Sequence, residues 1–155
     1  MGAFAGLIAS LLAHFLNSFA LPQKRGLAVV EVVFRLRDNP RLERRPDVAF
    51  VAYDRLPNPV IALEDPAVWE VVPNLAVEVI SPSNTVDEIM QKIEDYFRSG
   101  VQQVWVIFPR QRQIYVYQSP QQVRILRQSD EIDGETVLPG FRLGVAALFA
   151  TINKP

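Results

Sequence analysis

The stretch that most constrains this chain is Leu75-Ala76-Val77-Glu78-Val79-Ile80, where one glutamate stands among side chains that all avoid water. A short apolar run of this kind forms a strand buried on both faces of a sheet. An ionised carboxylate taken out of water without a partner is costly, so Glu78 must open into a cleft, meet a cation or keep a proton. The run stops at Ser81-Pro82-Ser83. Asn84 or Thr85 can then cap a helix that carries Asp87, Glu88, Ile89, Lys92, Ile93 and Tyr96 to a stop at Gly100.

Length and charge narrow the classes that can use such a glutamate. At 155 residues the economical reading is one domain, 1–155, with a core of its own. Sixteen Lys and Arg against seventeen Asp and Glu give a net charge of −1, so no global basic field holds nucleic acid by counterion release. Such binding needs a local patch or a metal. Cysteine is absent, which excludes disulfides, thiolate metal sites and cysteine nucleophiles and fits a reducing compartment, with a cytoplasmic location expected.

Met1 to Leu21 is uncharged, but no Lys or Arg precedes Lys24, as a signal peptide would require. Its bulky residues, Phe4, Leu7, Ile8, Leu11, Leu12, Phe15, Leu16 and Phe19, recur at helical spacing and predict one buried face of an amphipathic core helix. A membrane span is the competing reading on length alone. Next, Ala28 to Leu36 favours a strand with Glu31 inside it, Arg37-Asp38-Asn39-Pro40 a turn, and Pro46 to Ala52 a second strand with Asp47 at its mouth and Pro46 where a strand's start tolerates it. Pro57, Pro59, Pro66 and Pro73 rule out a long regular element between Tyr53 and Pro73. Gln103 to Phe108 predicts a strand parallel to the Glu78 strand, because a helix separates the two. A hairpin over 114–117 and 123–126, turned at Ser119-Pro120, and a short helix over 145–149 complete the chain.

Asp47 and Glu78 lie on different strands. Should those strands be neighbours, the two acids converge and their repulsion calls for a cation. Magnesium or manganese suits carboxylate oxygens, and Lys92 could orient a water or stabilise charge on a phosphate. A structural ion pair with a nearby arginine, or Asp47 accepting backbone N–H groups at a strand end, is the competing reading. His14, the sole histidine, reads as surface or satisfied core, and Ser81 and Ser83 lack the setting of a serine nucleophile.

Arg45-Pro46-Asp47-Val48-Ala49-Phe50-Val51, Pro73-Asn74-Leu75-Ala76-Val77-Glu78-Val79-Ile80-Ser81-Pro82-Ser83, Lys92, Tyr96, Gly100-Val101 and Trp105-Val106-Ile107 together resemble the Uma-two family of candidate endonucleases. That family belongs to the restriction-endonuclease-like PD-(D/E)xK superfamily, and the likeness runs from about the first helix to Leu138-Pro139-Gly140-Phe141. It implies an α/β (α+β) fold with a mixed central sheet flanked by helices, in the order αβββαβ plus a C-terminal hairpin. It also implies a metal-dependent DNA endonuclease, a hydrolase using Mg2+ or Mn2+. Asp47 would be a metal-binding aspartate, Glu78 the acid of the E-x-K half-motif, and Lys92 its lysine moved onto the following helix, Ile80 standing at the usual lysine position. Tyr96 matches a family tyrosine and is an additional candidate. No acid precedes Glu31, which makes Glu31 a candidate further ligand, and Phe108 stands where relatives tend to have an aspartate. The alternative is a catalytically inactive nuclease-fold module that binds nucleic acid or another partner. DNA is the expected partner, held through Arg41, Arg44 and Arg45. A homodimer through the apolar tail and strand edges is a further expectation, and no membrane partner is expected.

Overall fold

A computed structural model of the chain describes residues 2–58, 60 and 67–154. Helix α1 (Ala3–Ala20) opens it, followed by β1 (Gly26–Val30), β2 (Phe34–Asp38), β3 (Arg41–Arg44) and β4 (Val48–Ala52). After a 3-10 turn at Tyr53–Arg55 come β5 (Leu75–Val79), α2 (Val86–Ser99), β6 (Gln103–Phe108), β7 (Gln113–Ser119) and β8 (Gln122–Leu126). Two short strands, β9 (Glu131–Asp133) and β10 (Arg142–Gly144), precede α3 (Val145–Ala150). The central sheet has the order β1-β4-β5-β6-β7-β8. Only β5 and β6 run parallel, with Leu75 opposite Gln103 and Val79 opposite Ile107, because α2 carries the chain back between them. Along the chain that gives αβββαβ and a closing hairpin, as expected, with β2–β3 as an added hairpin between the first two sheet strands.

Period-two alternation divides the sheet between two cores. Leu75, Val77 and Val79 face α1 and α3 together with Val48, Phe50, Trp105 and Ile107. Ala76, Ala49, Val51, Val104 and Val106 face the other way, towards Ile89, Ile93 and Tyr96 of α2 and Phe34 and Leu36 of β2. Both faces of β5 are therefore covered, and all five of its residues are buried. The Thr85 hydroxyl starts α2 by accepting from the Glu88 N–H at 3.2 Å. Asp87 and Glu88 sit in its positive first turn, and Gly100 ends it at φ 104°, where a β-carbon would be strained.

Three expectations need correction. The strand expected over 28–36 is two strands: Glu31 has φ 58° and lies beyond the end of β1, so the chain turns there and β2 pairs with β3 instead of extending the sheet. A non-glycine residue in the left-handed region does not continue a strand. In α1 the helix is present but its buried stripe is Ala5, Ile8, Ala9, Leu12, Ala13, Leu16 and Ala20, while Phe4 and Leu7 are exposed. Alanines win those positions because they let the helix lie close on the sheet, which bulk alone did not reveal. Third, β3, β9 and β10 were not foreseen. The irregular stretch expected between Tyr53 and Pro73 holds for its described part, but residues 59 and 61–66, with Pro59 and Pro66, lie outside the described residues.

By length and composition α1 could cross a membrane, with a mean hydropathy of 1.6. It packs instead against β1, β4, β5 and α3, and Asn17 ties it to the sheet edge. The Asn17 amide donates to the Ala28 carbonyl at 2.9 Å and accepts from the Ala28 N–H at 2.7 Å. Edge strands present such groups unpaired. Asn17→Leu leaves both without these partners and is expected to cost about 2 kcal/mol, read as a lower urea midpoint with an unchanged m-value.

Candidate functional site

The register of the first three sheet strands brings the acids to one end of the sheet. Val30 lies opposite Val48, and Val48 opposite Val77, so Glu31, Asp47 and Glu78 follow one step further along adjacent strands. The alternation puts Asp47 and Glu78 on the α2 face, with Ala49 and Ala76. Glu78 is 4% exposed and Asp47 9%.

Helix α2 supplies what Glu78 needs. The Tyr96 hydroxyl donates to one carboxylate oxygen at 2.6 Å, and the Lys92 ammonium lies 3.3 Å from the other. Residues four apart share a helix face, so one face of α2 delivers both groups. The turn between β5 and α2 makes this possible: Asn84 accepts from the Ser81 N–H at 2.9 Å and from the Ser81 hydroxyl at 3.1 Å. Thr85, not Asn84, is therefore the helix cap. The cation beside Glu78 is a lysine and not one of the arginines. Tyr96 is fully buried and makes a polar contact as well as packing.

Asp47 accepts from the Val79 N–H at 2.6 Å, so it ties the ends of β4 and β5 together while keeping its other oxygen free of protein donors among the described residues. That strand-ending role and a chemical role coexist in one carboxylate. Glu31 stands apart: its side chain pairs with Arg45 at 3.4 Å, and it influences Asp47 only through its charge. Phe108 packs on Tyr115 with ring centroids 4.6 Å apart and supplies no ligand. Among the described residues no group of three or more acidic or histidine side chains converges. His14 is exposed.

Burial raises the pKa of Glu78, offset in part by Lys92 and the Tyr96 hydrogen bond and reinforced by the Asp47 charge. Burial likewise raises Asp47; the Val79 N–H and Lys92 oppose that rise and Glu31 adds to it. Tyr96 is pushed well above the usual phenol range, by burial and then by the Glu78 charge. It is a fixed donor to Glu78, not a base. Among the described residues the two carboxylates face one ammonium, that of Lys92.

The feature that sequence reasoning missed is the Arg44–Asp95 ion pair, which joins β3 to α2. Gln91 donates to the other Asp95 oxygen at 3.1 Å. Asp95 lies between Lys92 and Tyr96 in sequence, so this clamp fixes the helix that serves Glu78. No local signal links partners 51 residues apart.

An open cleft of about 570 Å3 lies at the start of α1, lined by Phe4, Ile80, Ser81, Pro82, Phe108 and Arg110 and by none of Asp47, Glu78, Lys92 and Tyr96.

A raised carboxyl pKa means that the folded state holds the proton more tightly than the unfolded chain, so stability falls as pH climbs above the unfolded value of about 4.5. Glu78→Gln removes that titration. Its single amide oxygen can accept from Tyr96 or from Lys92 but, unlike the carboxylate, not from both, so one of these contacts is lost at every pH. Relative to the parent, the variant is expected to gain stability as pH rises from 4 to 7 in thermal melts; no relative gain over that range contradicts the raised Glu78 pKa.

Residues 1–146 match the Uma2 family model, described as "Putative restriction endonuclease". In fold the chain is similar to a 1.96 Å crystal structure of "a putative nuclease belonging to DUF820" from Anabaena variabilis, with a TM-score of 0.83, covering 97% of this chain and 82% of that one. The two are 20% identical, so the likeness speaks for the fold alone. No match was found among curated proteins.

Proposed function

The chain belongs to the Uma2 family, and from that premise we propose that it is a metal-dependent DNA endonuclease of the PD-(D/E)xK type, hydrolysing phosphodiester bonds by attack of water. The observation that carries this reading is Glu78, buried in a core strand with Asp47 beside it and Lys92 and Tyr96 on its two oxygens. A stability requirement alone does not call for two desolvated carboxylates at one strand end. The donor set fits Mg2+ or Mn2+, since both are hard ions held by one or two carboxylates with waters and phosphate completing the shell. Asp47, through its free oxygen, and Glu78 would hold the ion. Such an ion supplies charge stabilisation at the phosphate and a more acidic water. Glu31 is left as a charge near Asp47 and not as a ligand.

The protein's own groups have distinct tasks in this reading. Lys92 neutralises Glu78 in the free protein and, among the described residues, is the ammonium placed to steady charge on a phosphate. Tyr96 keeps Glu78 from rotating away. The Val79 N–H does the same for Asp47. Ile80, at the superfamily's usual lysine position, offers no charge.

A second reading, a nuclease-fold module without activity, is favoured by one observation: both Glu78 oxygens already have partners from α2. Plasmid nicking in Mn2+ decides between them. The parent is expected to nick supercoiled DNA, and Asp47→Ala or Lys92→Ala to slow it by at least about 100-fold. Nicking that survives in Asp47→Ala removes this site, and a parent inactive in both Mg2+ and Mn2+ supports the silent module.

A further inference from the structure

We infer that the β2–β3 hairpin is an arm that grips duplex DNA by its phosphates beside the candidate site. The identity of the ligand rests on the endonuclease reading; the arm itself is argued from charge and placement. Arg35, Arg37, Arg41, Arg44 and Arg45 fall within eleven residues, against Asp38 and Glu43. Five positive charges and two negative give this segment +3. Since the whole chain carries −1, the remainder sums to −4. Near-neutral overall charge therefore hides a basic arm on an acidic body, and a charged arm steers a polyanion where the body cannot.

The hairpin separates its structural from its available arginines. Phe34 and Leu36 turn inward and are buried against the α2 side of the sheet. Arg44 also turns inward, to Asp95, and seats the arm on α2. Arg35 is surrounded by Glu43, Glu70 and Asp38. This corrects the expectation that Arg44 binds DNA. Arg37, Arg41 and Arg45 remain outward and exposed. Arg37 bonds only the Pro40 carbonyl of its own turn, at 3.2 Å, and has no acidic partner among the described residues. Arg41 shares Glu43 with Arg35. Arg45 meets Glu31 and stands two residues before Asp47.

Reach agrees with charge. At about 3.3 Å per extended residue, Arg41 lies no more than about 20 Å from Asp47 along the chain. That is about six base-pair steps at 3.4 Å each. Phosphates held by the arm and a phosphodiester at Asp47 and Glu78 thus fall within one turn of a duplex. A solvated basic face would fit the composition equally well, but it predicts no localised DNA binding.

The test is fluorescence anisotropy of a labelled 30-base-pair duplex with the full chain in EDTA, so that neither cleavage nor metal enters. Three proteins are compared over a salt series: the parent, Arg37→Gln/Arg41→Gln, and a control, Arg124→Gln/Arg142→Gln. The control arginines lie away from the arm, on Glu135 and on Glu131 with Asp133. The arm variant is expected to bind about tenfold or more weakly at low salt, and its slope of log K against log salt to be shallower by about 1.8, two phosphates at 0.9 each. The control is expected to match the parent, and equal melting temperatures show that all three are folded. A parent that does not bind, an arm variant that binds like the parent, or a control that loses as much overturns the inference. The outcome is separable from that of the nuclease reading: arm-dependent binding without Mn2+ nicking leaves the arm standing and removes the enzyme. Nicking with unchanged binding in the arm variant does the reverse.

Discussion

The Glu78 carboxylate and its two partners on α2 are the contact around which the molecule is arranged. Strand β5 is buried on both faces, so water cannot solvate a charge in its middle, and the protein must bring donors to it. Tyr96 and Lys92 answer that need from successive turns of one helix. Their arrival fixes how α2 crosses the sheet. Rotating α2 by one residue would withdraw both groups together and strand a buried anion, a far larger penalty than any single apolar contact on the same face.

That dependence explains why a second, remote ion pair is needed. Arg44 on β3 holds Asp95, the residue just before Tyr96, and Gln91 braces the same carboxylate from within α2. The β2–β3 hairpin is thereby coupled to the site twice, once through α2 and once through the short chain from Arg44 to Asp47. Asp47 in turn is held by the Val79 N–H. Two acids of like charge are thus kept close by contacts that each favour the local geometry, with Lys92 as their counter-charge among the described residues.

Legibility in the sequence followed the range of the physics. The β5–turn–α2 unit was readable because its causes are local: a run of five apolar residues around Glu78, a Pro-containing turn, the Thr85 cap and a glycine that adopts φ 104°. The parallel partner β6 followed from the helix in between. The strand expected across Glu31 failed because one residue in the left-handed region breaks a run whose composition is otherwise suited to a strand. The face of α1 was misassigned because exposed Phe4 and Leu7 carry more bulk than the buried alanines, and helical spacing alone does not say which stripe lies on the sheet.

By itself the sequence determined that a carboxylate would be buried at residue 78, that Asp47 would stand at the mouth of a strand, and that Lys92 and Tyr96 would share a helix face, since each follows from hydrophobicity and period within a few residues. Tertiary structure alone decided that these groups meet, that Glu31 pairs with Arg45 instead of joining them, and that Arg44 serves Asp95 and not solvent. Those outcomes depend on strand register and helix docking, in which residues tens of positions apart compete for the same partner, and no local pattern encodes the winner of such a competition.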